Sequence, residues 1–347
     1  MIQCAALVIL IALPSPFDTG KRRIDDPIYK LYQQHMQEAD AVRNDLSIDR
    51  RAYLEAWLSQ FSVALVNHPT SPYVSLAKSQ MLGILNSLGR RTESVELLES
   101  MLDEARDDRQ RAWCLHQMGL AAYGAAIVEK SPAYAEKAID SFAKMREVEG
   151  HPNINWVTGF SKCGFIASTV LNDHARAAKF YNEGYLTLGR LSERQLAQVN
   201  NPNAVFVTEQ ILINAAVEYA RTEQPGKAID SMDKLAQIEG RQFPMTEHFV
   251  RLLSDARESP SLSLYCDRAA KWLSKNTDDK DVPRLAGQLG LAYETAGKYE
   301  QAETWLSVAL DYADDPAFSK ARHVDRKYLA TSIAHVRYEI AGKNQRR

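Results

Sequence analysis

Residues 283–316 constrain the fold more than any other part of the chain, because apolar and small residues recur there with a helical period on two successive segments. The first segment carries them at spacings of three and four: Ala286, Leu289, Gly290 and Tyr293. The second segment repeats this pattern: Ala302, Trp305, Leu306 and Ala309. Between the segments stands Gly297, and glycine is common where a helix ends in a turn with positive φ. We therefore predict two short antiparallel helices.

The small residues in this stretch predict a close approach of the two helices. Gly290 on the first helix and Ala302 on the second leave room for the backbones, while Tyr293, Tyr299 and Leu306 fill the surrounding space. A single hairpin of this size cannot bury its apolar face alone, so the sequence predicts neighbouring hairpins.

This hairpin resembles the tetratricopeptide repeat (TPR), which spans about 34 residues and carries Leu-Gly-x-x-Tyr, then Ala-x-x-x-Phe, then Pro. The run from Leu289 to Tyr293 matches the first element, and Ala302 matches the alanine of the second. Leu306 stands at the phenylalanine position, and Pro316 falls slightly late. The resemblance implies an all-α fold, a right-handed α-solenoid of antiparallel helix hairpins forming a TPR-like superhelix.

Further copies of the pattern are predicted along the chain, and the best of them covers residues 209–240. The positions that anchor the successive copies are Leu82, Gly119, Phe165, Ala216, Leu253 and Gly290. Three of the five steps between these anchors are equal and close to the repeat period, and the two longer steps coincide with insertions. The first insertion, around 127–133, predicts a longer helix or a loop. The second, within 189–202, predicts an extra short helix.

The pattern divides the chain into five predicted regions. A leader (1–20) precedes an N-terminal cap or divergent repeat (26–69), in which Asp49 or Ser47 caps the second helix. TPR-like repeats follow at 70–190 and again at 191–316, with the turn of the 209–240 unit at Pro225-Gly226. The last region (317–347) is a capping helix with a basic tail, predicted from Phe318 to Ala341.

The leader bears on localisation. Its apolar run from Ala5 to Leu13 is too short to cross a bilayer, which needs about 20 residues, and it suits a secretory signal peptide. We therefore expect export to the periplasm of a bacterial cell, or a cytoplasmic protein if the leader is not a signal. The alternatives for this segment are a misassigned start and a peripheral hydrophobic tail that contacts the membrane.

Composition and motifs argue against several classes of activity. The 42 Lys and Arg residues balance the 44 Asp and Glu residues, whereas a general nucleic-acid binder needs a strongly basic surface. No His-Glu-x-x-His, Cys-x-x-Cys, Gly-rich phosphate loop or Gly-x-Ser-x-Gly motif occurs in the sequence. We predict no metal, no cofactor and no catalytic residue, so the chain is not expected to be an enzyme. Buried thiols are predicted for three cysteines: Cys114, Cys163 and Cys266.

The resemblance to TPR proteins also implies where a partner binds, because the first helices of successive hairpins line a concave groove in that family. Carrying the frame of Gly290 to other hairpins selects the predicted partner-binding residues: Trp113, His116, Tyr123, Gln210, Arg221, Arg284 and Glu294. The same frame selects a second set, which either faces the groove or packs between hairpins: Leu120, Ile213, Val217, Gly287 and Leu291.

The expected function is that of a non-catalytic scaffold or adaptor with a protein or peptide partner. Chaperone-binding TPR domains share a clamp of Lys, Asn and Arg, but the corresponding positions here are Ser79, Gly83, His116 and Leu120. Recognition of an acidic C-terminal peptide is therefore not implied. Two alternatives stay open. One is a regulator or sensor that binds a peptide, nucleic acid or membrane surface through the groove or the basic C-terminal helix, and the other is an accessory subunit of an enzyme complex.

Overall fold

The computed structural model describes residues 25–44, 47–197, 201–276, 282–313 and 326–345. Within these ranges the regular structure is entirely helical, which confirms the all-α prediction. The described helices form two compact units, one ending at Ile166 and the other beginning at Ala167. The leader and residues 318–325 of the predicted capping helix lie outside the described residues.

Unit 1 contains helices that pack in chain order, each of the first five on the next. They are α1 (Pro27–Asn44), α2 (Arg50–Asn67), α3 (Val74–Leu88), α4 (Arg91–Asp103), α5 (Asp108–Glu129), α6 (Pro132–Glu149) and α7 (Ile154–Thr169), whose last turn belongs to unit 2. Asp49 caps α2 as predicted, because its side chain accepts hydrogen bonds from the Arg51 and Ala52 amides. Gly89, with φ of +75°, ends α3, as glycine commonly does at the end of a helix.

The insertion around 127–133 is accommodated in helix length. α5 has 22 residues and α6 has 18, and only Lys130 and Ser131 separate them. Phe142 of α6 is fully buried, and its ring lies against Gly119 of α5 and Gly159 of α7. A Cβ added at Gly119 would lie 2.8 Å from the ring, so only glycine permits this packing. Gly119 and Phe142 therefore sit opposite each other in an antiparallel hairpin.

Unit 2 contains the last turn of α7 and nine further helices within the described residues. They are α8 (His174–Leu188), α9 (Glu193–Ala197), α10 (Asn201–Arg221), α11 (Pro225–Ala236), α12 (Met245–Asp255), α13 (Leu262–Leu273), α14 (Val282–Thr295), α15 (Tyr299–Ala313) and α16 (Arg326–Gln345). α9 is the extra short helix predicted within 189–202. α10 packs on α11, α12 on α13 and α14 on α15, while α10, α12 and α14 also pack successively on one another.

The α14–α15 hairpin has the close approach predicted from Gly290. A Cβ added at Gly290 would lie 2.6 Å from Leu306 Cγ and 2.9 Å from the Leu306 backbone nitrogen. Ala302 and Leu306 are both fully buried, and Gly297 ends the turn with φ of +70°. α16 then covers this hairpin with an apolar stripe: Leu329, Ile333 and Val336.

Three local expectations were wrong. Phe165 does not occupy a buried anchor position, since its side chain is 40% exposed and the buried glycine is its neighbour Gly164. The turn before α11 does not lie at Pro225-Gly226: Glu223 takes the positive φ of 55°, and Pro225 opens the helix, where its fixed φ is suitable. α10 begins at Asn201, ahead of the expected unit, because proline is tolerated in the first turn of a helix.

Candidate functional site

The candidate site is a groove in unit 2 that consists of two adjoining surface recesses, of about 430 Å³ and 490 Å³. The first recess is lined by Gln210, Phe243, Glu247, His248, Val250, Arg251, Ser254, Asp255 and Arg284. The second is lined by Leu253, Ser254, Arg257, Gln288, Leu291, Ala292, Glu294, Thr295, Tyr328 and Ser332. Ser254 lines both, so the two recesses adjoin each other, and together we call them the unit 2 groove.

The helices that line the unit 2 groove follow a simple rule. Every lining residue comes from α10, α12, α14 or α16, or from a segment flanking α12. None comes from α11, α13 or α15 among the described lining residues. On α12, for example, Phe249 and Leu252 point into the core with 1% exposure, while Arg251 and Ser254 face the recess. The first helix of each hairpin therefore supplies the groove, and the second helix does not.

Four of the predicted partner-binding residues belong to unit 2, and the structure gathers them around this groove. Gln210 and Arg284 line the first recess, and Glu294 lines the second. Arg221 lies at the edge, where its Nη2 is 3.5 Å from Asp255 Oδ1. Of the second predicted set, Leu291 lines the groove, whereas other members pack inside unit 2: Ile213, Val217 and Gly287.

Arg221 is tied to a buried carboxylate and has a structural role. Glu218, whose side chain is 5% exposed, accepts a hydrogen bond from Arg221 Nη1 at 3.1 Å. The same carboxylate accepts a hydrogen bond from Ser168 Oγ at 2.8 Å and lies 2.7 Å from His174 Nδ1. These contacts join the last turn of α7, the start of α8 and α10, and Arg221 extends them to α12. A buried carboxylate needs this set of partners to offset its desolvation.

The charged side chains along the groove differ in whether they bind another described side chain. Glu294 is 2.7 Å from His335 Nδ1, and Arg251 donates to Asn214 Oδ1 at 2.5 Å. In contrast, Arg257 and Arg284 form no ion pair with any described residue. The groove therefore presents two arginines whose guanidinium groups are available to a ligand.

The remaining predicted residues lie in unit 1, on one face of α5. Trp113 and Tyr123 are partly buried, and His116 packs edge-on against Phe142 with ring centroids 6.1 Å apart. Burial, with a smaller contribution from the nearby Lys162 ammonium, lowers the pKa of His116 to about 4. His116 is therefore neutral near pH 7.

Sequence reasoning missed two residues beside this face of α5. Lys162 of α7 places its Nζ 4.2 Å from the centroid of the Tyr123 ring, and the Phe165 ring lies 6.1 Å from Tyr123. The frame that selected Tyr123 from Gly119 selects Lys162 when it is carried to the anchor Phe165, whereas Phe165 itself was assigned to the buried anchor position.

The described residues bring together no group of three or more His, Cys, Asp or Glu side chains that could hold a metal. Cys114, Cys163 and Cys266 are buried and form no disulfide, as predicted. No described helix combines the length and apolarity needed to span a membrane. In comparisons with known proteins, no family model matches the chain, and no curated protein sequence is significantly similar to it.

Proposed function

We propose that this protein is a non-catalytic scaffold or adaptor that holds a protein partner in the unit 2 groove, and that its hairpins form a TPR-like right-handed α-solenoid. The observation that carries the proposal is the lining of the groove. Three successive hairpins and α16 contribute to two adjoining recesses, and of the helices in each hairpin only the first contributes. A concave face built in this way can receive an extended or helical segment along several hairpins.

The packing inside the hairpins supports the repeat part of the proposal. Gly119 faces Phe142 in one hairpin, and Gly290 faces Leu306 in another, so a glycine on the first helix meets a large side chain on the second in both. Glycines with φ near +70° end the first helix at Gly89 and Gly297. These are the contacts expected of a helical repeat whose members have diverged in sequence.

The groove suits a protein segment better than a small molecule. Its two recesses are open and polar at several positions, and the guanidinium groups of Arg257 and Arg284, which line them, can form hydrogen bonds to backbone carbonyls or to carboxylates of a partner. The basic C-terminal helix is a weaker candidate, because part of its charge is used within unit 2. Arg337 donates to Glu303 Oε1 at 2.6 Å, and the Lys343 ammonium lies 4.3 Å from the Tyr299 ring centroid.

The test uses photo-crosslinking in the source cells. A photoreactive phenylalanine analogue at Gln288, in the groove, should crosslink a specific protein, whereas the same analogue at Lys271, on α13, should not. The crosslinked protein is then purified, and its affinity is measured for the wild type and two charge reversals. Arg284→Glu should weaken binding about tenfold or more, and the matched control Lys271→Glu should leave it unchanged.

Equal crosslinking from both positions would contradict the proposal, as would an affinity that Arg284→Glu does not alter. Arg221→Glu is a poor probe of the same groove, because a second carboxylate beside buried Glu218 would damage the fold.

The cellular location of the protein is also a proposal. We infer export to the bacterial periplasm from the apolar leader at 1–20, and a partner in the cell envelope would agree with it.

A further inference from the structure

A surface of cationic and aromatic side chains in unit 1 is a candidate for a second binding site. It comprises His116 and Tyr123 of α5 with Lys162 and Phe165 of α7, and we call it the Lys162 patch. The Lys162 ammonium lies 4.2 Å from the Tyr123 ring centroid, and the Tyr123 and Phe165 rings are 6.1 Å apart. Phe165 leaves 40% of its surface exposed, so the patch is accessible from solvent.

The charge of Lys162 is not neutralised by any described carboxylate. Its side chain is partly buried, and this burial lowers its pKa, with no opposing effect of a neighbouring acid. The ammonium is instead held against the face of the Tyr123 ring, which compensates only part of the lost hydration. Nearby, the buried His116 Nε2 has no hydrogen-bond partner among the described residues.

Two other cations of unit 1, Lys78 and Arg90, are paired with carboxylates, whereas Arg91 donates to the Asn86 amide oxygen. Lys78, whose side chain is 13% exposed, lies 2.5 Å from Glu104 Oε1. Arg90 bonds both Glu55 and Glu93. Since a partly desolvated charge is costly without a counter-charge, the Lys162 patch is a place where an anion supplied from outside would be stabilised.

We propose that the Lys162 patch binds an internal Asp or Glu of a partner peptide, together with an aromatic or large aliphatic side chain next to it. The carboxylate pairs with the Lys162 ammonium, and the apolar side chain packs on Phe165 beside Tyr123. A single ammonium fits one carboxylate, whereas nucleic acid binding relies on several phosphate contacts at once. This inference rests on the proposed function only in taking the chain as a scaffold that binds a protein partner, since the Lys162 patch is a site of unit 1 and not part of the unit 2 groove.

The experiment selects ligands from a phage library of random dodecapeptides on the full chain. The selected peptides should include a class in which Asp or Glu stands next to Phe, Tyr, Trp or Leu. Synthetic peptides of this class are then titrated by calorimetry. Lys162→Met, which keeps the aliphatic stem, should weaken binding by roughly tenfold or more, the range expected for a hydrogen bond to a charged group. Phe165→Ala, which removes the apolar contact, should also weaken binding by roughly tenfold or more.

Three controls make the result specific. Lys144→Met removes an exposed cation from α6 in the same unit and should not alter affinity. Lys162→Arg keeps the charge and should retain most of the binding. Circular dichroism and melting curves establish that each variant is folded, and replacing the acidic residue of the peptide by Asn should have the same effect as Lys162→Met.

The outcomes separate this inference from the proposed function. Peptides that depend on Arg284 but bind Lys162→Met as well as wild type would overturn the inference and leave the unit 2 groove supported. Selection of no acidic class also overturns it, as does a phosphoserine peptide that binds where its Asp counterpart does not. Peptides that are indifferent to both Lys162→Met and Arg284→Glu would count against both proposals.

Discussion

Replacing Gly290 with alanine tests the hairpin packing most directly. The new Cβ would lie 2.6 Å from Leu306 Cγ and 2.9 Å from the Leu306 backbone nitrogen, whereas carbon atoms in contact normally stay about 3.5–4.0 Å apart. Leu306 is fully buried and cannot swing into solvent. The backbone contact means that α15 itself must move away from α14.

The size of the effect follows from two opposing terms. Overpacking in a core costs roughly 1–3 kcal/mol, and we expect about 3 kcal/mol here because the backbone must move. Alanine recovers about 1 kcal/mol through its higher helix propensity. The net destabilisation of unit 2 is therefore about 2 kcal/mol, which corresponds to a decrease in melting temperature of roughly 4–8 °C for a unit of this size. Gly290→Leu should prevent unit 2 from folding.

Gly342 of α16 supplies the matched control, since nothing lies within 4 Å of a Cβ added there. Gly342→Ala should leave stability unchanged or raise it by up to about 1 kcal/mol. The measurement is urea unfolding followed by hydrogen-exchange mass spectrometry, which reports α14 and α15 separately from unit 1. In the double variant Gly290→Ala/Leu306→Ala, the overlap with Leu306 Cγ should disappear, whereas the overlap with the backbone nitrogen of residue 306 should remain. A Gly290→Ala protein as stable as wild type would refute the close approach of α14 and α15.

Three further predictions concern other parts of the chain. Glu218→Gln should destabilise unit 2 by about 3 kcal/mol, because it removes the buried negative charge that faces His174 and Arg221. Equal unfolding midpoints for this variant and for the exposed control Glu239→Gln would show that the Glu218 charge does not stabilise unit 2. The depressed pKa of His116 should lower the free energy of unfolding of unit 1 by about 3 kcal/mol as the pH falls from 6.5 to about 4, since the unfolded imidazole takes up its proton first. His116→Gln should remove this part of the pH dependence in urea titrations, and the exposed control His151→Gln should not. If the free energy of unfolding depends on pH equally in His116→Gln and in wild type, the prediction is wrong. N-terminal sequencing of the mature protein should show that the apolar leader has been removed, and an intact Met1 would refute export.

Much of the fold could be predicted from the sequence because the relevant signals are local. The helical period of the apolar residues, the cap at Asp49 and the glycine turns at Gly89 and Gly297 depend on residues only a few positions apart. Gly290 and Leu306 are also close in sequence, so their contact could be inferred from the hairpin they belong to. Where a rarer residue takes the strained position, as Glu223 does, the local signal misplaced the turn.

The candidate site was predicted only in outline. The helical frame selected Gln210, Arg284 and Glu294, and these residues line the unit 2 groove, because a frame defines which face of a helix a residue occupies. The same frame did not distinguish a side chain that faces the recess from one that packs inside unit 2. Ile213 is fully buried although it shares this frame, since the packing of a neighbouring helix determines which part of a face stays open.

The sequence by itself determined the all-helical class and local features such as the cap at Asp49 and the turn at Gly297, because these follow from spacing and from residue propensities along one segment. Only the tertiary structure decided which charged side chains have partners within the protein. Arg221 pairs with Glu218 and Asp255, Arg284 pairs with no described carboxylate, and Lys162 lies against Tyr123. The partners of Arg221 and Lys162 include residues from other helices, and the ionic character of a side chain depends on which carboxylates and rings the packing of those helices brings within a few ångströms.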